Sequence, residues 1–444
     1  MNRQVKIPHQ PHQRQQWRNW GRTVSVRPER IEAPATVPDL QRAVAAAAAA
    51  GQRVKAVGAG HSFTGIAEAP GLLLDLARLQ GLLGVDTARG QVRLLAGTRL
   101  HRIPGLLAPY GLAMPNLGDI DRQSIAGAIS TGTHGTGAAF GGLATQVAGL
   151  TLVQPDGGLL TLEAGDPLLP AAALSLGALG IITEVTLQCV PAFVLRAEER
   201  SEALAGVFEN LTGRVKGTDH FEFYWFPHTD RAATKSNTRL PGTAERNPLP
   251  AFGRWIDESL LSNTLYRLTC AAGTAAPALV PPVNRAAARL LGGRSYADLS
   301  PEVFTQRRTV RFREMEYAVP ADLLPSAFEA LQGLIQAHRW RISFPVEVRW
   351  AAADDRWLST AYGRDTAYIA VHRYHREDPA EYFDAVEEVM LAHEGRPHWG
   401  KLHSLGAAML EPRYPRFGDF LALRDRLDPD RVFANPYLDR VLGT

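Results

Sequence analysis

A two-domain α+β fold is what this 444-residue chain predicts, and three observations predict it. The length accommodates more than one hydrophobic core. Residues 1–190 alternate short β-branched runs with helical patterns around a segment rich in Gly, Ser and Thr. After Pro191 the composition changes, and an aromatic run at 220–228 opens a second series of strands and helices.

Residues 1–20 are polar until Trp17 and Trp20 supply apolar area that anchors the arm on a domain. Thr36-Val-Pro-Asp39 reads as a helix start, with a cap candidate and a first-turn proline, so residues 40–50 are expected as a helix stopped by Gly51. A strand at 54–57 leads into Gly58-Ala-Gly-His-Ser-Phe63. Further strands are expected at 72–76 and 92–96, a hairpin at 147–153 and 159–162 around Asp156-Gly157, a helical turn at 174–180 and a strand at 181–187. The second half predicts helices at 204–211, 255–265, 283–291, 321–338 and 379–393, and strands at 220–228, 311–319, 342–350 and 368–375.

Charge and cysteine usage narrow the function. The 48 basic and 45 acidic side chains leave a formal net charge of +3, scattered and without a recognition-helix pattern, so no nucleic-acid partner is expected. Cys189 and Cys270 cannot form a metal cluster by themselves and suit a reducing compartment. No apolar run is long enough to span a bilayer, and residues 1–22 lack the apolar stretch of a secretory signal, so a cytoplasmic location is expected.

Four stretches could carry chemistry. Gly58 and Gly60 follow a strand as in a dinucleotide fingerprint, but Phe63 takes the third glycine's place, which argues against a Rossmann loop. His61 has no second ligand at short spacing, so no metal site is expected. Residues 111–142 hold eight glycines among Ser124, Ser130, Thr131, Thr133, His134 and Thr136, a composition that offers backbone donors to a pyrophosphate or builds a set of tight turns. Glu347 and Arg349 alternate with Val346, Val348 and Trp350, so both charges share one strand face, either a solvated ion pair or the wall of a cleft. Lys401, in Pro397-His-Trp-Gly-Lys401, is either a snorkelling turn lysine or a site cation.

Six segments in this order resemble the FAD-dependent aldonolactone oxidoreductases of the vanillyl-alcohol-oxidase class, with bacterial alditol oxidases as near relatives. They are Gly58-Ala-Gly-His-Ser-Phe63, Asn116-Leu-Gly-Asp-Ile-Asp121 with residues 127–137, residues 221–230, Glu347-Val-Arg349, residues 357–366, and Arg396-Pro-His-Trp-Gly-Lys401. The resemblance implies a two-domain vanillyl-alcohol-oxidase-type flavoprotein. Residues 1–190 would bind FAD, residues 191–404 would form a substrate cap, and about 405–444 would pack back on the first domain. Val57, Gly58, Ala59, Gly60, His61, Ser62, Phe63, Gly118, Asp119, Ser124, Gly127, Thr131, Gly132, Thr133, His134 and Ile182 would contact FAD, with His61 at the position that bonds the flavin 8α carbon in covalent members. Glu347, Arg349 and Lys401 would be catalytic, and Asp119 and His372 would bind substrate.

The implied reaction is transfer of hydride from a carbinol carbon to flavin N5 with loss of the hydroxyl proton, the flavin being reoxidised by oxygen or another acceptor. Alditol oxidases tend to have serine where this chain has Asp119 and histidine where it has Ala370. The resemblance therefore favours an L-gulono- or D-arabinono-1,4-lactone over a polyol such as xylitol or sorbitol, and Gly118 suits oxygen access. A flavin-binding protein without turnover is the reading from another class.

Overall fold

The computed structural model describes residues 15–250, 266–290, 293–306 and 308–444. Residues 1–14 of the expected arm and the helix expected at 255–265 lie outside them. Sequence signals set the first elements directly. The Thr36 side chain accepts the Asp39 N–H, Pro38 fills the first turn, and α1 (Val37–Ala49) buries Leu40, Ala43, Val44 and Ala47 at helical spacing before Gly51 turns at φ 67°. β1 (Arg30–Glu32), β2 (Val54–Val57) and β3 (Leu72–Asp75) form a parallel sheet in the order β1-β3-β2.

Five further strands, β4 (Leu82–Asp86), β5 (Gln91–Leu95), β6 (Val147–Val153), β7 (Leu159–Leu162) and β8 (Ile181–Gln188), make an antiparallel sheet in the order β7-β6-β8-β5-β4. The short helix α2 (Ile125–Ser130) lies within the Gly/Ser/Thr-rich segment. β4 has no buried residue, which is why apolar alternation did not predict it. The helical turn expected at 174–180 falls instead at Leu169–Ala172. Residues 174–180 are irregular, with Leu176 and Gly177 at φ 58° and 65°, and the buried Lys55 ammonium donates to both their carbonyls, at 3.4 and 3.1 Å, and to that of Phe433 at 3.1 Å.

The cap is an antiparallel sheet of eight strands among the described residues. In chain order they are β9 (Phe193–Ala203), β10 (His220–Trp225), β11 (Arg231–Pro241), β12 (Arg294–Leu299), β13 (Phe312–Pro320), β14 (Val346–Ala351), β15 (Thr366–Tyr374) and β16 (Arg396–Pro397), and in space β12-β9-β11-β10-β14-β15-β13-β16. Neither β9 nor β11 was expected, because polar and charged residues occupy most of their length. β14 begins at Val346 rather than 342.

One face of this sheet is apolar. Phe223, Val348 and Trp350 pack with Phe328 and Leu331 of α3 (Leu324–Ala337) and with Tyr382, Val386 and Met390 of α4 (Ala380–Ala392). The opposite face, carrying Glu222, Glu314, Glu316, Glu347, Arg349 and His372, is turned toward the first domain by strand alternation. The C-terminal helices α5 (Phe417–Leu427) and α6 (Pro436–Leu442) share one core with α1 and both sheets of the first domain, through Phe417, Phe420, Tyr437 and Leu438.

Candidate active site

The loop after β2 is shaped by exclusion. A Cβ on Gly58 would stand 2.0 Å from Ser124 Oγ, the same oxygen that caps α2 by accepting the Gly127 N–H at 3.3 Å, and Gly60 sits at φ 66°. Backbone therefore lines the first cleft. It encloses about 850 Å³ of empty space, partly open to solvent, and is bordered by Val57, Gly58, Ala59, Gly60, His61, Ser62, Ser124, Gly127, Thr131 and Ile182. Such a cradle of backbone and hydroxyl donors, with apolar walls, fits a dinucleotide cofactor such as FAD.

His61 stands where this cleft joins a second one. Trp20 stacks on its ring at 5.6 Å and 25°, and Trp20 N–H donates to Gly60 O at 2.7 Å. Burial, reinforced by Lys401, Arg99 and Arg122, pushes the imidazole down to about 4, so it is neutral with a free lone pair at pH 7. The return of the cap chain locks the loop in place: Phe63 N–H donates to Gly400 O at 2.7 Å and Thr64 Oγ1 to Trp399 O at 3.0 Å. This pairing carries Lys401 to the loop's edge, with Nζ 5.5 Å from the centre of the Phe63 ring.

The second cleft holds about 770 Å³ of empty space and contains Gly118, Asp119, Thr131, Thr133, His134, Glu347, Arg349, His372 and Lys401 beside His61, Ser62 and Phe63. The Glu347–Arg349 face is thus a cleft wall. Arg349 is held at Nε by Glu222 at 3.0 Å, and at Nη2 by Glu347, by Asp119 at 3.5 Å and by Tyr224 Oη at 3.4 Å. Burial disfavours its charge, but Glu347 and Asp119 outweigh that and raise its pKa well above the usual range. Lys401 is no snorkelling surface lysine. Its ammonium is paired with Glu314, whose other oxygen lies 3.5 Å from His372 Nε2. Burial pushes Glu314 up, and Lys401 with His372 overcomes it, bringing the carboxyl to about 2. Glu347 is shifted the other way: burial raises its pKa against the pull of Arg349.

His134 stacks on Tyr368 at 3.5 Å, donates from Nδ1 to Gly135 O at 2.8 Å, and faces Glu316 at 3.2 Å, with His398 nearby. These three groups have the proximity of metal ligands, but His398 Nδ1 already accepts the Gly400 N–H at 3.0 Å, which leaves its proton on Nε2 and no lone pair to offer. Of the residues expected to touch FAD, Gly132 borders neither cleft. It forms the left-handed turn after α2 at φ 77°.

Glu222, Tyr224, Arg308, Glu314, Glu316 and His398 belong to the site and were not singled out by sequence reasoning, and Trp20, read only as an anchor of the arm, lines the second cleft. Glu314 and Glu316 carry the signal that exposed Glu347 and Arg349, charged residues alternating with apolar ones in a strand. Arg308 lies in coil and carries none.

Fold and site together define an FAD-binding oxidoreductase of two domains. Residues 28–163 match the family described as FAD binding domain, and residues 185–441 match D-arabinono-1,4-lactone oxidase. The chain belongs to the D-arabinono-1,4-lactone oxidase family. It is 44% identical over 427 residues to an L-gulono-1,4-lactone dehydrogenase of Mycobacterium tuberculosis, covering 96% of this chain and 99% of that one. It is 33% identical to the L-gulonolactone oxidase of Bos taurus and 32% identical to an alditol oxidase of a Streptomyces species, each match covering 96% of this chain and 98% of the relative. In fold alone it is similar to the cholesterol oxidase of B. sterolicum, with a TM-score of 0.80 at 20% identity over 99% of this chain and 100% of that one. Among the described residues no helix is long and apolar enough to cross a membrane.

Proposed function

We propose that this chain oxidises an aldono-1,4-lactone, of the L-gulono or D-arabinono type, at the carbinol next to the lactone carbonyl, with FAD joined covalently to His61. The observation that carries the reading is that Arg349 and Lys401, each pinned by carboxylates, share one cleft with the His61 loop. FAD held by the His61 loop, Ser124, Gly127 and Thr131 along the first cleft would supply the hydride acceptor. The carbinol would pass its hydride to that acceptor and its hydroxyl proton to solvent at the open side of the second cleft, and become a carbonyl.

Arg349 and Lys401 stabilise the negative charge that grows on the carbinol oxygen as its proton leaves, and cations held in place by carboxylates do this without reorganising. Glu222 and Glu347 hold the Arg349 fork and Glu314 holds Lys401. His372, beside Glu314, lies within reach of substrate hydroxyls. Trp20, Phe63 and Phe312 wall off water on the His61 side. Reoxidation falls to oxygen or another acceptor. Gly118 lines the second cleft without a side chain, which suits oxygen access there. A polyol substrate is the second reading, favoured by the likeness to alditol oxidase. Two free, buried cysteines support placing the protein in the cytoplasm.

The neutral, stacked His61 imidazole supports its role as the attachment point. Acid-precipitated protein is expected to stay yellow, and His61→Ala to release its flavin under the same treatment. Loss of colour from the denatured wild type would remove the covalent link and leave flavin binding standing.

A further inference from the structure

A third cation of the substrate cleft has donors to spare. Arg349 is spread over Glu222, Glu347 and Asp119, and Lys401 is tied to Glu314. Arg308 reaches the same cleft from the coil before β13, and its Nη2 meets Asp119 Oδ2 at 2.8 Å. Asp119 also accepts the Gln306 N–H through its backbone carbonyl at 2.8 Å, so the coil is fixed where Arg308 leaves it. The Tyr224 ring lies 5.9 Å from the guanidinium carbon. Among the described residues, Asp119 is the ion-pair partner of Arg308. A guanidinium has five N–H donors, and this contact engages only one of its nitrogens.

We infer that Arg308 reads the lactone carbonyl: steadied by Asp119, its guanidinium donates to the exocyclic carbonyl oxygen of the bound aldono-1,4-lactone. The inference rests on the lactone reading above. An sp² oxygen accepts in its own plane, which a planar donor fork matches better than the single point charge of an ammonium. The Asp119 carboxylate cancels the charge of Arg308, and carboxylates outnumber cations around the cleft, so the site suits a neutral lactone rather than the aldonate anion formed when the ring opens. Arg308 is thus a specificity residue, acting on an atom beside the reacting carbon.

The test compares two ligands of one ring shape on the holoenzyme: L-gulono-1,4-lactone as reductant, and the 1,4-anhydroalditol of the same configuration, with CH2 in place of C=O, as competitive inhibitor. For Arg308→Met the half-saturating lactone concentration in anaerobic flavin reduction is expected to rise roughly 10- to 100-fold, the loss of one charge-assisted hydrogen bond. The anhydroalditol inhibition constant and the flavin spectrum should stay at wild-type values, and Arg308→Lys should recover part of the loss. If Arg308→Met does not fold, Arg308→Met/Asp119→Asn removes the stranded carboxylate and is compared with Asp119→Asn in the same way. Equal weakening of both ligands would reduce Arg308 to a structural role, and no change in either would remove it from recognition. A wild-type flavin that no aldonolactone reduces would be a separate failure, that of the lactone reading, and the inference would fall with it.

Discussion

Lys401→Met is expected to slow flavin reduction at saturating lactone by about 10²- to 10³-fold, the range for removing one preorganised charge from a developing oxyanion. The ammonium is half-buried against the buried Glu314, so the substitution also strands a carboxylate, and leaving a buried charge unpaired costs up to about 3–5 kcal/mol. The two effects separate in Lys401→Met/Glu314→Gln. Thermal stability should return toward wild type, because the amide no longer needs a countercharge, while flavin reduction stays slow. Rapid reduction in either variant would take Lys401 out of the chemistry and leave it a structural partner of Glu314.

Arg349→Lys is the second large effect. The substitution keeps the charge but not the fork, and Arg349 uses that fork to meet Glu222 at Nε while Nη2 faces Glu347, Asp119 and Tyr224. One ammonium on a flexible stem cannot hold those partners together. Flavin reduction at saturating lactone should fall about 10²-fold, and the melting temperature should fall as well, because part of a buried carboxylate cluster loses its cation. Unchanged reduction in a variant that has lost stability would confine Arg349 to packing.

The candidate site was legible where one short stretch carries its own geometry. The His61 loop follows a strand and is glycine-rich, and Gly58 proves to face Ser124 so closely that no side chain fits. Glu347 and Arg349 were legible as sharing a face, because strand alternation fixes that much. Which face was buried could not be read, since it depends on a domain that packs against it from far away in sequence. The same limit hid Glu314 and Glu316, whose partners Lys401 and His134 come from distant segments. Arg308 had no periodic setting at all, and only the folded chain brings it to Asp119. In the fold, α1 was readable from its cap, whereas β9 and β11 were not: charged residues such as Arg196, Glu198 and Lys235 along them obscure the alternation that marks a half-buried strand.

The most direct measurement is anaerobic mixing of the holoenzyme with L-gulono-1,4-lactone, D-arabinono-1,4-lactone, xylitol and sorbitol, followed by the visible flavin absorbance. At least one of the lactones is expected to bleach the flavin, and at lower concentration than either polyol, with a ketone appearing beside the lactone carbonyl. Bleaching by the polyols alone, or by none of the four, would contradict the assignment.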